Sequence, residues 1–334
     1  MPSTATSLLD PRFLRQLEAL ELISRRVFVG RMRGERRSKR KGSSIEFAEY
    51  REYSPGDDLR YLDWNAYARL DRLFLKQFME EEDLSIYLLL DCSASMGFGS
   101  PSKLDWARRF AAALGYIGLT TFDRVGAVAI AGGDPEHRRG AVAIGGDPER
   151  LVPLALSQVE GSAAEGSRGA GGNSRTFRAV RGRAQAIGLF RWLEELHADG
   201  RTGLYEALRR FTLRTRQPGL AIICSDFLDP DWRRGLLTLV HRKFDLLCVQ
   251  VLDPTEVNPT LAGDLKLVDS ETGETREITV TGALLRTYKR RLAAFQNDLR
   301  AFGNRYGARV LAVTTDQPVE DIVLKTLRRA GVVK

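Results

Sequence analysis

The chain has 334 residues, 43% of them apolar, and a formal charge of +8 from 51 basic and 43 acidic side chains. That apolar content supports a sizeable core and excludes a chain too polar to fold. No run approaches the ~18 uncharged apolar residues of a membrane span, and the start of the chain carries no basic stretch followed by an apolar core, so a soluble, cytoplasmic protein is expected.

From Asp10 to Val29 the apolar positions Phe13, Leu14, Leu17, Leu20, Leu22 and Ile23 recur at helical spacing, which predicts an amphipathic helix packed on the main body. A basic run follows, Arg31, Arg33, Arg36, Arg37, Lys39, Arg40 and Lys41, opposed later by Glu80, Glu81, Glu82 and Asp83. The plainest reading of the run is a solvated arm. A docking surface for an acidic partner is the second, and nucleic acid the least favoured, because no aromatic residues interleave the arginines as stacking platforms. Between Gly42 and Phe78, Ser54, Pro55, Gly56 and Asp57 form a turn signal. Arg60 and Asp63 are spaced to pair locally, and Trp64 and Tyr67 are expected to bury rather than to face a partner.

The remainder alternates apolar strand runs with amphipathic helices: strand 84–90, helix 103–119, strand 124–131, helices 182–196 and 202–212, strand 220–225, helix 232–241, strand 244–251, helix 283–302, strand 308–313 and helix 318–330. Such alternation predicts an α/β fold, a doubly wound, mostly parallel sheet with helices on both faces. An N-terminal extension over residues 1–83 precedes this domain, which spans 84–334. A β-hairpin excursion is expected at about 264–280, around Ser270, Glu271, Thr272 and Gly273. An irregular insertion is expected at about 132–174, where Gly126 to Arg138 and Gly140 to Arg150 both read GAVAI then GGDPE. The cysteines Cys92, Cys224 and Cys248 sit in or beside strand runs without paired spacing, which indicates reduced core thiols.

One strand, Leu84 to Leu90, stops abruptly at Asp91, Cys92, Ser93, Ala94, Ser95 and Met96, presenting a carboxylate and two hydroxyls at one point. A second, Ala221 to Ser225, ends at Asp226, and Thr202 opens a helix-like segment. Asp91, Ser93, Ser95, Thr202 and Asp226 together supply the hard oxygen ligands that Mg²⁺ or Mn²⁺ requires. Ligands of α/β sheets gather where strands end and connections splay apart, which brings Asp91 and Asp226 to one crevice. The bland alternative is that both serines and Asp226 merely cap neighbouring turns.

The constellation resembles the metal-ion-dependent adhesion site of von Willebrand factor A domains: D-x-S-x-S after the first strand, a later Thr, and a later Asp after another strand. The chain also resembles the bacterial domain of unknown function 58 family, built on a von Willebrand factor A-like domain. That family's upstream signature is met by Glu46, Phe47, Arg51, Tyr53, Gly56, Asp57, Asp58, Arg60, Asp63 and Trp64. Its later elements are met by Gly263 to Leu265, Glu271 to Glu274, and Thr315, Asp316, Gln317 and Pro318. The resemblance implies that Ser93 and Ser95 bind the ion directly, that Thr202, Asp91 and Asp226 act directly or through water, and that an acidic side chain of another protein completes the shell. It further implies a partner or adaptor role with a MoxR-type AAA+ ATPase. Arg201 departs from the small residue expected before the Thr, and its charge opposes a nearby cation.

Two other functions compete. A Mg²⁺-dependent phosphohydrolase would use Asp91 as nucleophile, although such enzymes usually carry a second Asp where this chain has Ser93. A basic nucleic-acid-binding protein is the other. His137, His197 and His241 lack metal-ligand spacing, and no G-x-S-x-G elbow or phosphate-binding Gly-rich loop is present. No catalytic constellation is found.

Overall fold

The structure is a computed structural model and describes residues 8–22, 46–55, 62–79, 84–130, 175–201, 203–260, 263–268 and 275–334. The chain divides into two compact units, one of residues 27–83 and the other of residues 1–26 with 84–334.

In the small unit, β1 (Glu46–Glu52) pairs antiparallel with β2 (Phe74–Met79), and α2 (Trp64–Leu70) lies between them in sequence. Asp63 is the N-cap of α2, its carboxylate accepting from the amides of Asn65 and Ala66. The expected partner Arg60 lies outside the described residues. Trp64 and Tyr67 do not bury as expected. They are 64% and 40% exposed and meet edge to face at 6.3 Å. Among the described residues of this unit, a helix of one or two turns and a two-stranded ribbon supply no second apolar layer to cover them.

The large unit is built on a six-stranded sheet of order β10-β7-β6-β3-β4-β5. These strands are β3 (Ser85–Asp91), β4 (Arg124–Ile130), β5 (Thr176–Val180), β6 (Leu220–Ser225), β7 (Asp245–Leu252) and β10 (Arg309–Thr314). All neighbours are parallel except β4 and β5. The central strand β3 is buried on both faces, which its Leu88-Leu89-Leu90 run demands; each fully buried leucine contributes about 2 kcal/mol.

Alternating side chains show helices on both faces. Ile86 and Leu88 meet α3 (Lys103–Thr120) at Gly118 and Gly115, where a Cβ would come within 2.5 Å of Ile86 or 3.1 Å of Leu88. Leu89 points the other way, into a core with Leu204, Leu208 and Phe211 of α5 (Leu204–Arg214), Leu236 and Leu239 of α6 (Trp232–His241), and Leu299 and Phe302 of α8 (Gly282–Tyr306). On the first face, Leu189 of α4 (Ala186–Glu194) also packs at Gly115. At the start of the sheet Gly219 passes Ser85 so closely that a Cβ would lie 2.0 Å from its carbonyl oxygen, so only glycine fits.

The short α7 (Pro254–Val257) follows β7, and the expected hairpin forms from β8 (Gly263–Val268) and β9 (Thr275–Val280). Three expectations change. The N-terminal helix α1 spans only Pro11–Leu17, because Leu22 bridges Val333 and Glu21 exchanges backbone hydrogen bonds with Lys334, so tertiary pairing overrides local periodicity. The final helix, expected over 318–330, forms over 319–329, but it is not α-helical throughout: α9 (Val319–Asp321) passes into a π-helical segment, Ile322–Leu327, before two last α-helical residues. The edge strand β5, half exposed, was not expected; its TFRAV sequence has no apolar run to announce it.

Candidate functional site

β3 is flanked on one side by β4, reached through α3, and on the other by β6, entered from α5 on the opposite face. The gap between the carboxyl ends of β3 and β6 is therefore where the winding direction reverses, the place where α/β sheets open a crevice. Asp91 is the last residue of β3, and Asp226 directly follows β6.

Four of the five predicted residues meet here. The Asp91 carboxylate accepts from the Ser93 amide at 3.0 Å and from the Ser225 hydroxyl at 2.5 Å. Ser93 Oγ lies 3.0 Å from Ser95 Oγ, and Ser95 donates to Asp226 Oδ2 at 2.9 Å. Asp226 Oδ1 accepts from the Leu228 amide. Ser93 precedes the 3-10 turn Ala94–Gly97 but makes no side-chain cap bond to it, so the capping alternative does not account for the serines. The fifth residue, Thr202, lies outside the described residues. Its neighbour Arg201 is exposed.

At the same point stands a residue that the motif does not contain. Lys103, first in α3 and 0% exposed, donates to Asp226 Oδ2 and to Glu256 Oε1, each at 2.9 Å. A cation in the first turn faces the positive end of the helix dipole, and burial removes its water. The two carboxylates offset both costs. Burial alone would lower the ammonium's pKa, but Asp226 and Glu256 outweigh it and the net shift is upward, so Lys103 is charged. Asp226 is likewise held below the usual carboxylate range, burial being overcome by Lys103 and the bonds from Leu228 and Ser95.

The remaining carboxyls shift the other way. Burial, reinforced by the nearby Asp226 charge, pushes Asp91 up to about 7. Burial also raises Glu256, despite the opposing pull of Lys103. One ammonium thus serves two of the three buried carboxyl groups, Asp226 and Glu256, while Asp91 has hydrogen bonds but no cationic partner among those named, and burial favours its protonated form.

Glu256 is itself fixed by a capping box. Its Oε2 accepts from the Asp253 amide at 2.7 Å, while Asp253 caps α7 through Thr255 and accepts from Thr315 beyond β10 at 3.3 Å. Tyr288 of α8 donates to the Glu256 carbonyl. Gln250 of β7 donates to the Asp226 carbonyl, and its own Oε1 has no hydrogen-bond partner among the described residues. Lys103, Ser225, Gln250, Asp253 and Glu256 are not among the residues the sequence pointed to, and Thr315 entered only through the Thr315 to Pro318 element, with no role at the site. The Asp253-Pro-Thr-Glu256 capping signature was available to flag two of them.

The donor set is chemically of the kind a small hard cation takes, all oxygen, with two carboxylates and two hydroxyls. Ser93 Oγ and Ser95 Oγ lie 3.0 Å apart as a hydrogen-bonded pair, a spacing that two neighbouring ligands of an octahedral ion at about 2.1 Å would also have. Among the described residues no group of three or more His, Cys, Asp or Glu side chains is placed to hold a metal, so such an ion would depend on hydroxyls. Exposure differs from that of an open docking site: Asp91, Ser93, Ser95 and Asp226 are 0%, 0%, 6% and 1% exposed. The connection beyond α4 runs against this loop, with Ala94 donating to the Gly200 carbonyl and Asp199 to that of Cys92. Asp91, fully buried with both oxygens engaged, is a poor nucleophile for phosphoryl transfer. His197 and His241 are exposed surface residues, and His137 lies outside the described residues.

Among the described residues no helix is long and apolar enough to cross a membrane. Among solved structures, the conserved hypothetical protein BatB from Bacteroides thetaiotaomicron gives a TM-score of 0.39 at 13% identity, over 74% of this chain and 98% of that one. An aerotolerance-related membrane protein from Bacteroides fragilis gives 0.40 at 12% identity over the same shares. Uncharacterized proteins of Mycobacterium bovis and Mycobacterium tuberculosis are each 31% identical over 318 residues, 94% of this chain and 89% of theirs. The family described as "Protein of unknown function DUF58" matches residues 49–144 and 151–298. The interruption falls on Gly145 to Arg150, the second GGDPE copy, and Glu46, Phe47 and Thr315 to Pro318 lie outside the match. Asp91, Ser93, Ser95, Lys103, Asp226 and Glu256 all lie within it, and the chain belongs to the DUF58 family.

Proposed function

We propose that this chain is a divalent-metal-dependent protein-interaction module of von Willebrand factor A-like design, a cytoplasmic adaptor for a MoxR-type AAA+ ATPase. The observation that supports this reading is the meeting of Asp91, Ser93, Ser95 and Asp226, from segments more than 100 residues apart, in one hydrogen-bonded cluster at the switch point of the sheet. Ser93 and Ser95 would hold Mg²⁺ or Mn²⁺, with Thr202 as a further candidate. Asp91 and Asp226 would orient those hydroxyls and balance the ion's charge. A bound ion with few anionic ligands supplies an electrophilic position that a partner's carboxylate can fill. Docking requires the Ser93 to Met96 loop, or the 199–200 connection bonded to it, to move and admit that carboxylate.

The test is recovery of a MoxR-type ATPase on the immobilised protein with Mg²⁺ or with EDTA. Recovery should need the cation and should disappear in Ser93→Ala plus Ser95→Ala. Recovery that ignores both changes would refute the metal bridge, and phosphatase turnover abolished by Asp91→Asn would replace the adaptor with an enzyme.

A further inference from the structure

We propose that Lys103 is a tethered competitor for the divalent cation, a resident positive charge that keeps Asp226 engaged and holds the site at weak metal affinity. This inference rests on reading the cluster as a cation site, and it concerns what sets the occupancy of that site.

Three observations carry it. First, both oxygens of Asp226 are engaged: Oδ2 takes the Ser95 hydroxyl and the Lys103 ammonium, and Oδ1 takes the Leu228 amide. Metal entry on Oδ2, the oxygen that faces Ser95, must displace one of its two donors. Second, the ammonium cannot retreat into water, because Lys103 is 0% exposed and is anchored at its other side by Glu256, 3% exposed. A fixed positive charge repels an entering divalent ion strongly where water does not screen it. Third, the anchor is braced from other elements. Glu256 belongs to the Asp253 capping box, its carbonyl accepts from Tyr288, and Asp253 reaches Thr315, so the carboxyl ends of β6, β7 and β10 all bear on where the ammonium sits.

The consequence is a division of labour within one cluster. Asp91, Ser93 and Ser95 form the half with no cationic partner of their own among the described residues, while Asp226, Lys103 and Glu256 form a half in which the protein supplies the positive charge. Removing the ammonium frees Asp226 and removes repulsion. Removing Glu256's charge does the opposite, because it leaves Lys103 bound to Asp226 alone and makes the site more positive.

Mn²⁺ binding measured by calorimetry and by electron paramagnetic resonance of the free ion tests this on the full chain. Lys103→Met should bind Mn²⁺ at least tenfold more tightly than wild type, and Glu256→Gln at least threefold more weakly. Opposite signs are the signature, since a merely structural role would weaken both. Should Lys103→Met fail to fold, Lys103→Met with Glu256→Leu replaces the buried pair by apolar groups, a change that buried ion pairs often tolerate, and carries the same expectation of tighter binding. Unchanged, weaker or absent binding in the folded variant lacking Lys103 overturns the inference, whatever wild type does. If wild type binds no Mn²⁺ but that variant does, the inference stands, and metal-dependent docking by the wild-type chain fails alone.

Discussion

At the carboxyl ends of β3, β6 and β7 the large sheet gathers Asp91, Asp226 and Glu256, with one ammonium, that of Lys103, held between the last two, all of them buried. At the amino ends of β6 and β7 it exposes Arg216, His241, Arg242 and Lys243 around a cavity of about 210 Å³. The same strands therefore end in two electrostatic regimes. Where connections splay from a switch point and are covered, each charge needs a specific partner, and losing one leaves an uncompensated charge. Where charges face water, solvent screens them and each is worth little. The high positive charge of the chain thus says less about its chemistry than one buried lysine does.

Substitutions at the two ends should separate these regimes. The largest effect is expected for Asp226→Ala, which leaves Lys103 with Glu256 alone. It should lower stability by about 3 kcal/mol or more in urea unfolding, and a loss below about 1 kcal/mol would show that the cluster is not held by this pair.

A pH titration comes next. The folded pKa of Asp91, about 7, lies above its unfolded value near 3.8, so its protonation stabilises the fold fully below that unfolded value and the contribution is lost as pH rises through about 7. Glu256, also raised, acts with the same sign. Asp226, lowered, contributes only through loss at still lower pH, and Lys103, raised, only through loss at high alkalinity. Without divalent ions, melting temperature should therefore rise from pH 8 to pH 5.5, and Asp91→Asn should flatten that slope. An unchanged slope in the variant would remove Asp91 as its source.

Within the sheet and just beyond the end of β3, Cys248 and Cys92 are buried thiols with pKa pushed up to about 12, and Cys224 is likewise raised, each chiefly by burial. Native protein should leave all three unreacted with a thiol reagent that labels them in denaturant. Rapid native labelling of Cys92 would mean that the site loop opens readily. The smallest effects belong to the amino end. Arg242→Ala, which removes an exposed bond to the Thr215 carbonyl, should change stability by no more than about 0.5 kcal/mol. Lys243→Gly should stabilise by up to about 1 kcal/mol, because Lys243 sits at φ 63°, a conformation glycine adopts freely.

Much of the large unit was legible in the chain because its strands are continuous apolar runs and its helices strongly amphipathic, as with Leu84 to Leu90 and Leu220 to Ser225. The half-exposed β5 and the β1–β2 ribbon carry no such pattern and were invisible. Of the candidate site, Asp91, Ser93, Ser95 and Asp226 could be named in advance, since each stands at or just beyond the end of an apolar strand. Lys103 could not, because a lysine opening a helix looks like any solvated charge until its surroundings are known.

By itself, then, the sequence determined that an apolar parallel sheet would end in hard oxygen donors, because strand periodicity and the D-x-S-x-S spacing are local properties of the chain. The strand order β10-β7-β6-β3-β4-β5 decided the rest. It set β3 beside β6, brought Asp91 and Asp226 together across more than 100 residues, and lowered Lys103 and Glu256 into the same buried space. Only there does an ammonium 2.9 Å from each of two carboxylates tie separate strand ends together, because burial strengthens each of those attractions.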